Sequence, residues 1–127
     1  MGIKRIYSLK HRKRISHLMK HGQRFKAFPV HMLAEVHDEE WKDMKVGFSV
    51  PARVHRSAVM RIRLKRRMRE LVRPLIPQLA EAYADRGLSL MFIHVGPEES
   101  DFQLLQSKIN LLLERFKEHS TTPSSHE

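Results

Sequence analysis

The residues best suited to chemistry are the closely spaced cations between positions 53 and 73. This segment holds nine basic residues, eight of them Arg, and a single acid, Glu70. Arg suits polyphosphates because its planar guanidinium contacts a phosphate through two parallel hydrogen bonds. No aromatic residue lies between these cations, so we do not expect the segment to stack on bases. The pattern predicts binding to the backbone of a folded nucleic acid that is read by its shape, as structured RNA is.

The chain offers no residues suited to catalysis. It has no Cys, which excludes a thiol nucleophile, a disulfide framework and a Cys-ligated zinc site. A two-metal nuclease site needs clustered carboxylates, but most acids here lie in predicted turns and near the C-terminus, away from the basic segment. His11, His17 and His21 have cationic neighbours that repel a metal ion, so contact with solvent or RNA is the better interpretation. We therefore predict neither catalytic nor metal-binding residues on the protein.

The positive charge is concentrated in two blocks of the 127-residue chain. The whole chain has 24 Lys and Arg against 14 Asp and Glu, a net charge of +10. Residues 1–26 carry +9 and residues 53–73 carry +8, whereas residues 27–52 and 74–127 carry −3 and −4. If the two basic blocks fold together, they form one continuous basic face, which is the electrostatic footprint of a nucleic-acid binder.

The net charge alone would also suit an anionic membrane surface. However, no apolar run approaches the roughly 18 residues that span a bilayer. The N-terminus also lacks the apolar stretch of a signal peptide. We therefore expect a cytoplasmic protein with no membrane partner.

The elements that must position the basic segment belong to a single domain. The length and the hydrophobic fraction of 41% suit one modest core. We predict a flexible basic tail over residues 1–8, a folded domain over residues 9–118 and a disordered polar tail over residues 119–127. Hydrophobic periodicity predicts the element order α-β-β-α-β-α, a small mixed α/β domain whose sheet is covered by helices.

Alternating and continuous apolar runs predict the strands. Two strands are predicted over residues 29–37 and 45–50, with room for another short strand near Phe25. The apolar side of the second run includes Phe48, which we predict to lie in the core. The nearly continuous apolar run over residues 88–95 indicates a strand buried on both faces.

The central helix, predicted over residues 57–73, carries most of the second basic block. At 100° per residue its apolar residues form a narrow stripe, and cations fill most of the remaining circumference. Ile62 falls on the cationic arc rather than on the stripe. Pro74 and Pro77 should end or kink the helix. The stripe consists of Met60, Leu64, Met68, Leu71 and Leu75.

Three further helical segments are predicted. The first helix ends at Gly22, a short one spans about residues 78–85, and the last is capped by Ser100 or Asp101. Their lengths fit elements that pack one face on a sheet. The apolar faces consist of Ile15, Leu18 and Met19 in the first helix, and of Phe102, Leu105, Ile109, Leu112, Leu113 and Phe116 in the last.

The segment from Val46 to Arg73, VGFSVPARVHRSAVMRIRLKRRMRELVR, resembles the bacterial ribonuclease P protein family. That family carries a signature of the form Arg-Asn-Arg-x-Lys-Arg-x-x-Arg at the start of its basic helix. Residues 61–69 read Arg-Ile-Arg-Leu-Lys-Arg-Arg-Met-Arg. The preceding strand, the loop over residues 51–57 and the segment HGQRF at residues 21–25 also fit the family pattern. The resemblance therefore spans about residues 9–117.

Several positions depart from the family pattern. Ile62 stands where the family usually has Asn, so the polar contact of that amide is absent. Ala52 stands where a basic residue is common, and Ile15 and Met19 stand at helix positions where the family tends to have aromatics.

The resemblance implies the fold class. It implies an α+β protein, a single compact α/β sandwich similar to the second domain of ribosomal protein S5, with a left-handed β-α-β crossover. Because about 98% of such crossovers are right-handed, periodicity and packing rules alone would have predicted the opposite hand.

The resemblance also implies a function as the protein subunit of ribonuclease P. The partners would be the catalytic RNA, with one protein per RNA, and the 5′ leader of precursor tRNA. The RNA, with Mg²⁺ bound mainly to it, would carry out the endonucleolytic removal of the leader. The implied RNA-binding residues are Arg53, Arg56, Arg61, Arg63, Lys65, Arg66, Arg69 and Arg73, and the implied leader cleft contains Arg12, Ile15, Met19 and Phe25.

An RNA-binding protein without a role in catalysis, of the ribosomal or RNA-chaperone type, is the alternative hypothesis. The charge and the helix pattern fit both functions. The signature over residues 61–69, in its strand context, favours the ribonuclease P subunit.

Overall fold

A mixed four-stranded sheet organises the chain, in a computed structural model that describes residues 7–38 and 41–121. The sheet has the strand order β1-β2-β4-β3. In chain order the elements are α1 (Arg12–His21), β1 (Gln23–Ala27), β2 (Val30–His37), β3 (Met44–Ser49), α2 (Ala58–Val72), a 3-10 turn (Arg73–Leu75), α3 (Ile76–Ala82), β4 (Gly87–His94) and α4 (Phe102–Thr121).

The sheet joins a hairpin to a crossover unit. Strands β1 and β2 form the antiparallel hairpin, and β2 also pairs antiparallel with β4. Strands β3 and β4 are parallel neighbours, connected through α2 and α3. This connection is a β-α-β crossover. Because β4 lies between β2 and β3 and is covered on both faces, all eight of its residues are buried, as its continuous apolar run predicts.

Helices cover both faces of the sheet. On one face, Met32 and Phe92 of the sheet pack against α2, α3 and α4 in the main core. On the other face, Leu18 of α1 packs against Leu33 and Met91 in a smaller core. The layers are therefore α1, the sheet, and the other three helices, which confirms the predicted α/β sandwich.

Local sequence signals set the ends of the helices. The backbone N–H of Gly22 donates to Leu18 O at 2.8 Å and ends α1. The hydroxyl of Ser57 accepts from the Met60 N–H at the start of α2. At the start of α4 the carboxylate of Asp101, rather than Ser100, accepts from the Leu104 N–H at 2.8 Å. The contacts of Gly22 and Asp101 confirm the predicted end of α1 and cap of α4, and α2 begins at Ala58, one residue after its predicted start.

The predictions for α3 and for Phe102 were wrong. Helix α3 spans Ile76–Ala82 and not residues 78–85, because Pro77 fits the first helical turn, where its missing N–H costs nothing. Phe102 is 43% exposed, because it is the first residue of α4 and precedes the buried positions that begin at Leu105.

The predicted placement of Phe48 is only partly correct. Its ring stacks on Phe92 of the core, with 5.8 Å between the ring centroids, but the side chain stays partly exposed. Strand β3 lies at the edge of the sheet, so Phe48 has a strand neighbour on one side only.

The structured chain extends beyond the predicted domain at both ends. Ser8 forms an isolated parallel bridge with Val46, and Tyr7 packs against the main core, so the last two residues of the predicted tail belong to the fold. Helix α4 continues to Thr121, past the predicted boundary at residue 118. Residues 1–6 and 122–127 of the predicted tails lie outside the described residues.

His94, at the end of β4, is fully buried. Its Nε2 lies 2.8 Å from the Ser100 hydroxyl, and its ring centroid lies 5.3 Å from that of His55. Burial, together with the charge of His55, lowers the pKa of His94 to about 4 from the ordinary 6.5. The folded protein therefore keeps this imidazole neutral at neutral pH.

Because this imidazole is buried and neutral, we predict that the free energy of unfolding falls in acid. Between pH 6.5 and 4, His94 binds a proton in the unfolded chain but stays neutral in the folded chain. The free energy of unfolding therefore falls as the pH falls, by at most about 1.4 kcal/mol per pH unit. His94→Gln removes this titration, and urea unfolding at several pH values should show a flatter dependence. His119→Gln, at an exposed position on α4, is the control. Equal pH dependence in wild type and His94→Gln would contradict the prediction.

Candidate nucleic-acid interface

The cations of α2 lie on the three surfaces of the helix that its buried apolar stripe leaves free. One side faces the edge of β3, where Lys65 and Arg69 line a groove of about 320 Å³. The opposite side faces the loop before α4, which Arg63 and Arg67 contact. The outward arc between the two sides includes exposed Arg66. One helix therefore presents its cations to three different environments.

The groove at the edge of β3 brings the two basic blocks together. Lys10, from the N-terminal block, lines it with Lys65 and Arg69. The guanidinium of Arg69 lies 5.8 Å from the centroid of the Phe48 ring, in a cation–π arrangement. The groove thus combines three cations with one aromatic ring, an aromatic that the helix sequence alone did not supply.

Arg61 holds the loop that precedes α2. Its Nη1 donates to His55 O at 2.6 Å and to Arg56 O at 3.0 Å. Arg61 was predicted to bind RNA, but these bonds use its guanidinium to anchor the loop over residues 51–57. Arg53 and Arg56, on the same loop, are exposed as an RNA contact requires.

Two other arginines hold the loop that precedes α4. Arg67 Nη1 donates to Ser100 O at 2.7 Å, and its Nη2 lies 2.7 Å from the Glu99 carboxylate. Arg63 lies 3.3 Å from the same carboxylate. Hydrogen bonds from Arg67 and then Arg63 lower the pKa of Glu99 and keep it ionised. The predicted RNA contact of Arg63 therefore competes with an ion pair inside the protein.

The remaining predicted RNA-binding residues face outward or into the groove. Lys65 and Arg66 form no ion pair within residues 7–38 and 41–119, whose side chains the structure describes. Arg73 is exposed just after the end of α2. The side chains best placed for phosphates are therefore Lys10, Arg53, Arg56, Lys65, Arg66, Arg69 and Arg73, of which the sequence prediction missed Lys10.

The structure does not bring the four predicted cleft residues together. Arg12 and Met19 are exposed on α1, and Ile15 packs in the smaller core under that helix. Phe25 lies on the opposite face of the sheet, where its ring contacts Phe116 of α4 at 6.0 Å between centroids. Since successive residues of a strand point to opposite faces, the register of β1 decided this placement, and the prediction for Phe25 was wrong.

Other residues of the hairpin share the sheet face of α1. Arg24 pairs with Leu33, and Lys26 pairs with His31, so both cations point to the side where α1 packs. Arg24 Nη1 lies 3.3 Å from His31 Nδ1. Burial, then the charges of Arg24 and Lys26, lower the pKa of His31. Sequence reasoning missed these three residues because it had no register for β1.

Arg14 is a buried member of the N-terminal basic block. Its Nε donates to the Ser89 hydroxyl at 2.7 Å, and its Nη2 donates to Asp43 O at 2.7 Å and to Leu88 O at 3.0 Å. Its Nη1 pairs with the Asp43 carboxylate. Arg14 thus attaches α1 to the sheet and cannot face RNA. Its spacing of four residues from buried Leu18 was the signal in the sequence.

One histidine of α1, His17, differs from the prediction, whereas His21 is exposed. His17 Nδ1 lies 2.7 Å from the Glu35 carboxylate, and the His17 ring contacts those of His21 and Trp41. Among the described residues, no three His, Asp or Glu side chains are placed to hold a metal ion. No helix in the described ranges is long and apolar enough to cross a membrane.

The chain is similar to known proteins along nearly its whole length. The family described as Ribonuclease P matches residues 3–117. The ribonuclease P protein component of Microcystis aeruginosa is 28% identical over 117 residues, which cover 89% of this chain and 92% of that protein.

Solved structures share the fold. One structure of the Staphylococcus aureus RNase P protein superposes with a TM-score of 0.64 at 16% identity, covering 87% of this chain and 95% of that one. A second reaches 0.66 at 18% identity, covering 92% and 94%. None of these matches supports the alternative of a ribosomal or RNA-chaperone protein.

Proposed function

The chain belongs to the ribonuclease P protein family, and from this premise we propose how it binds RNA. Its family makes it the protein subunit of the endoribonuclease that matures the 5′ ends of tRNA, with the ribonuclease P RNA as its partner. We propose that the outward arc of α2 and the groove at β3 bind that RNA, and that the chain also contacts the 5′ leader of precursor tRNA.

The observation that carries this proposal is the groove between α2 and the edge of β3. Lys10, Lys65 and Arg69 converge there from both basic blocks, and Arg66 stands beside them on the outward arc. Like charges held this close on a helix repel each other unless a polyanion compensates them. A folded RNA supplies that compensation and releases counterions on binding.

For the leader, we propose the sheet face next to α1. Arg12 and Met19 of α1 are exposed there, and Arg24 and Lys26 of β1 point to the same side of the sheet. A surface of cations beside an aliphatic side chain suits a single strand that is held through its phosphates, because such a surface does not select bases by stacking. The leader would therefore be bound with little dependence on its sequence.

We propose that Mg²⁺ belongs to the RNA subunit and that the protein holds none. Glu99, which lies beside α2, is engaged by Arg67 and Arg63, which makes it a poor cation ligand. The residues of this chain would instead lower the repulsion between two RNAs. We further propose one protein per RNA and a cytoplasmic location, where the protein would meet both RNAs.

Reconstitution tests the proposed function. The protein is mixed with a bacterial ribonuclease P RNA and with precursor tRNA labelled in its leader, at low Mg²⁺. We expect faster leader cleavage than with the RNA alone, and tighter binding of precursor than of mature tRNA. Cleavage no faster than with RNA alone would overturn the role in catalysis, and equal binding of precursor and mature tRNA would overturn the leader contact.

Position 62 gives a finer test of the α2 surface. Ile62 is 60% exposed on the outward arc, where the family usually has Asn. Ile62→Asn adds an amide that can bond the RNA, and we expect binding about 2- to 10-fold tighter. Val59→Asn, which adds the same amide one turn earlier at an equally exposed position, is the control. Equal affinity of wild type and Ile62→Asn in filter binding would show that the amide makes no contact.

A further inference from the structure

Phe28, at the turn between β1 and β2, is the most exposed aromatic side chain in the part of the chain that the structure describes. It is 64% exposed, and the residues around the turn, from Gly22 to Ala34, include no acid. A single exposed apolar residue is ordinary on a protein surface. The surroundings of this ring, rather than its exposure alone, indicate a function.

The ring rests on the backbone of the loop between β4 and α4. A Cβ added to Gly96 would lie 3.3 Å from Phe28 Cζ and 2.6 Å from Pro29 Cβ. Gly96 does not have a positive φ, so its backbone conformation does not require glycine. Glycine matters at this position because it has no side chain and so leaves space for its neighbours. Gly96 therefore lets the Phe28 ring lie close against the backbone, which supports it from one side while most of its surface stays open.

The loop that meets Gly96 carries two exposed cations. The carbonyl of Gly96 lies 2.7 Å from His55 Nε2, so the loop over residues 51–57 meets the same residue that supports Phe28. Arg53 and Arg56 of that loop are exposed, and Arg61 fixes the loop in place.

The acids beyond Gly96 reduce this positive charge only in part. Glu99 is paired with Arg67 and Arg63, which leaves exposed Glu98 as the nearest acid in sequence. Exposed Lys26 lies two residues before Phe28 in the chain. The exposed charges on these segments, three cations (Lys26, Arg53 and Arg56) against Glu98, are therefore positive on balance.

We propose that Phe28 is a stacking platform for one unpaired RNA base, whose neighbouring phosphates lie on Arg53 and Arg56. The inference rests on the proposed function and adds to it a base contact outside α2. A flat, supported ring beside cations is the arrangement by which proteins bind unpaired bases, and each such base contributes strongly to affinity whatever its identity. The base belongs to the ribonuclease P RNA or to its substrate, and the experiment distinguishes these sources.

Substitutions of Phe28 test the stacking. We expect Phe28→Ala to weaken RNA binding about 5- to 100-fold, Phe28→Leu to weaken it nearly as much, and Phe28→Tyr to keep the wild-type affinity. The slope of log K against log salt should not change, because no phosphate contact is lost. Binding is measured to ribonuclease P RNA alone, and then for precursor tRNA binding to the assembled complex. A loss in the first measurement assigns the base to the catalytic RNA, and a loss in the second alone assigns it to the substrate.

Two controls keep this test separate from the proposed function. Phe102→Ala removes a second exposed aromatic, one next to Asp101, and should leave both affinities unchanged. Arg66→Ala should lower the salt slope while leaving Phe28 in place. If Phe28→Ala binds within twofold of wild type in both measurements while Arg66→Ala loses affinity, the stacking platform is wrong and the RNA-binding function stands. Wild-type affinity in Phe28→Leu would also overturn stacking. Failure of the wild type to bind either RNA would overturn the proposed function itself.

Discussion

Replacing Arg14 with alanine is expected to lower the free energy of unfolding by about 2–4 kcal/mol. The substitution removes the hydrogen bonds to Ser89, Leu88 and Asp43 that attach α1 to the sheet. It leaves the buried carbonyl of Leu88 without this donor and opens a cavity beneath Trp41, whose ring lies 5.7 Å from the guanidinium. Urea unfolding followed by circular dichroism measures the loss.

Two comparisons make this prediction specific to the buried guanidinium. Arg12→Ala, on the exposed side of the same helix, should change stability by less than about 0.5 kcal/mol. Burial raises the pKa of Asp43, but the hydrogen bond and charge of Arg14, with Lys45, outweigh it and hold that pKa below its ordinary value. This pair therefore stabilises the fold above the ordinary pKa of 3.8, and its contribution is lost as the pH falls below that value. A loss in Arg14→Ala no larger than in Arg12→Ala would contradict the structural role.

Combining Lys65→Ala, Arg66→Ala and Arg69→Ala is expected to have the largest effect on RNA binding. These three cations line the groove or face outward, and Lys65 and Arg66 have no ion pair among the described residues. If each neutralises one phosphate, the slope of log K against log salt falls by about 2–3 units, and the stimulation of cleavage at low Mg²⁺ is lost. Stability should change little, because these three side chains make no hydrogen bond to other residues in the part of the chain that the structure describes.

Arg67→Ala is the matched control on the same helix. Because Arg67 donates to the buried Ser100 carbonyl and pairs with Glu99, its loss should lower stability by about 1 kcal/mol and leave the salt slope unchanged. If Arg67→Ala flattened the salt slope as much as the triple variant, the division of these cations between protein and RNA would be wrong.

The fold could be predicted from the sequence where the signal was local. The buried strand β4, the C-terminal end of α1 and the cap of α4 depend on an apolar run, on Gly22 and on Asp101, all of which act within a few residues. Helical spacing alone also predicted that Leu64, Met68 and Leu71 of α2 lie in the core, although it missed buried Val72.

The site could be predicted only in outline, because the partners of its residues are distant in sequence. Arg61, Arg66 and Arg67 are equivalent cations in the sequence of α2. In the structure, however, Arg61 donates to loop carbonyls, and Arg67 donates to a loop carbonyl and pairs with Glu99. Phe25 was misplaced because the sequence does not give the register of β1. The sequence shows Arg14 only as one cation of the N-terminal basic block, because Ser89 and Asp43, which bind it, lie 75 and 29 residues away.

The central position of β4 has a consequence for synthesis on the ribosome. This strand is the last in the chain, yet it joins the β1–β2 hairpin to β3, so the sheet cannot close before residue 94 has been made. By Arg73 the nascent chain already holds 20 basic and 6 acidic residues, a net charge of +14. The polypeptide thus passes through its most cationic stage while unfolded and surrounded by RNA. The C-terminal portion then supplies the central strand, and its acidic residues lower the net positive charge of the chain. The sheet is therefore completed as the net charge falls.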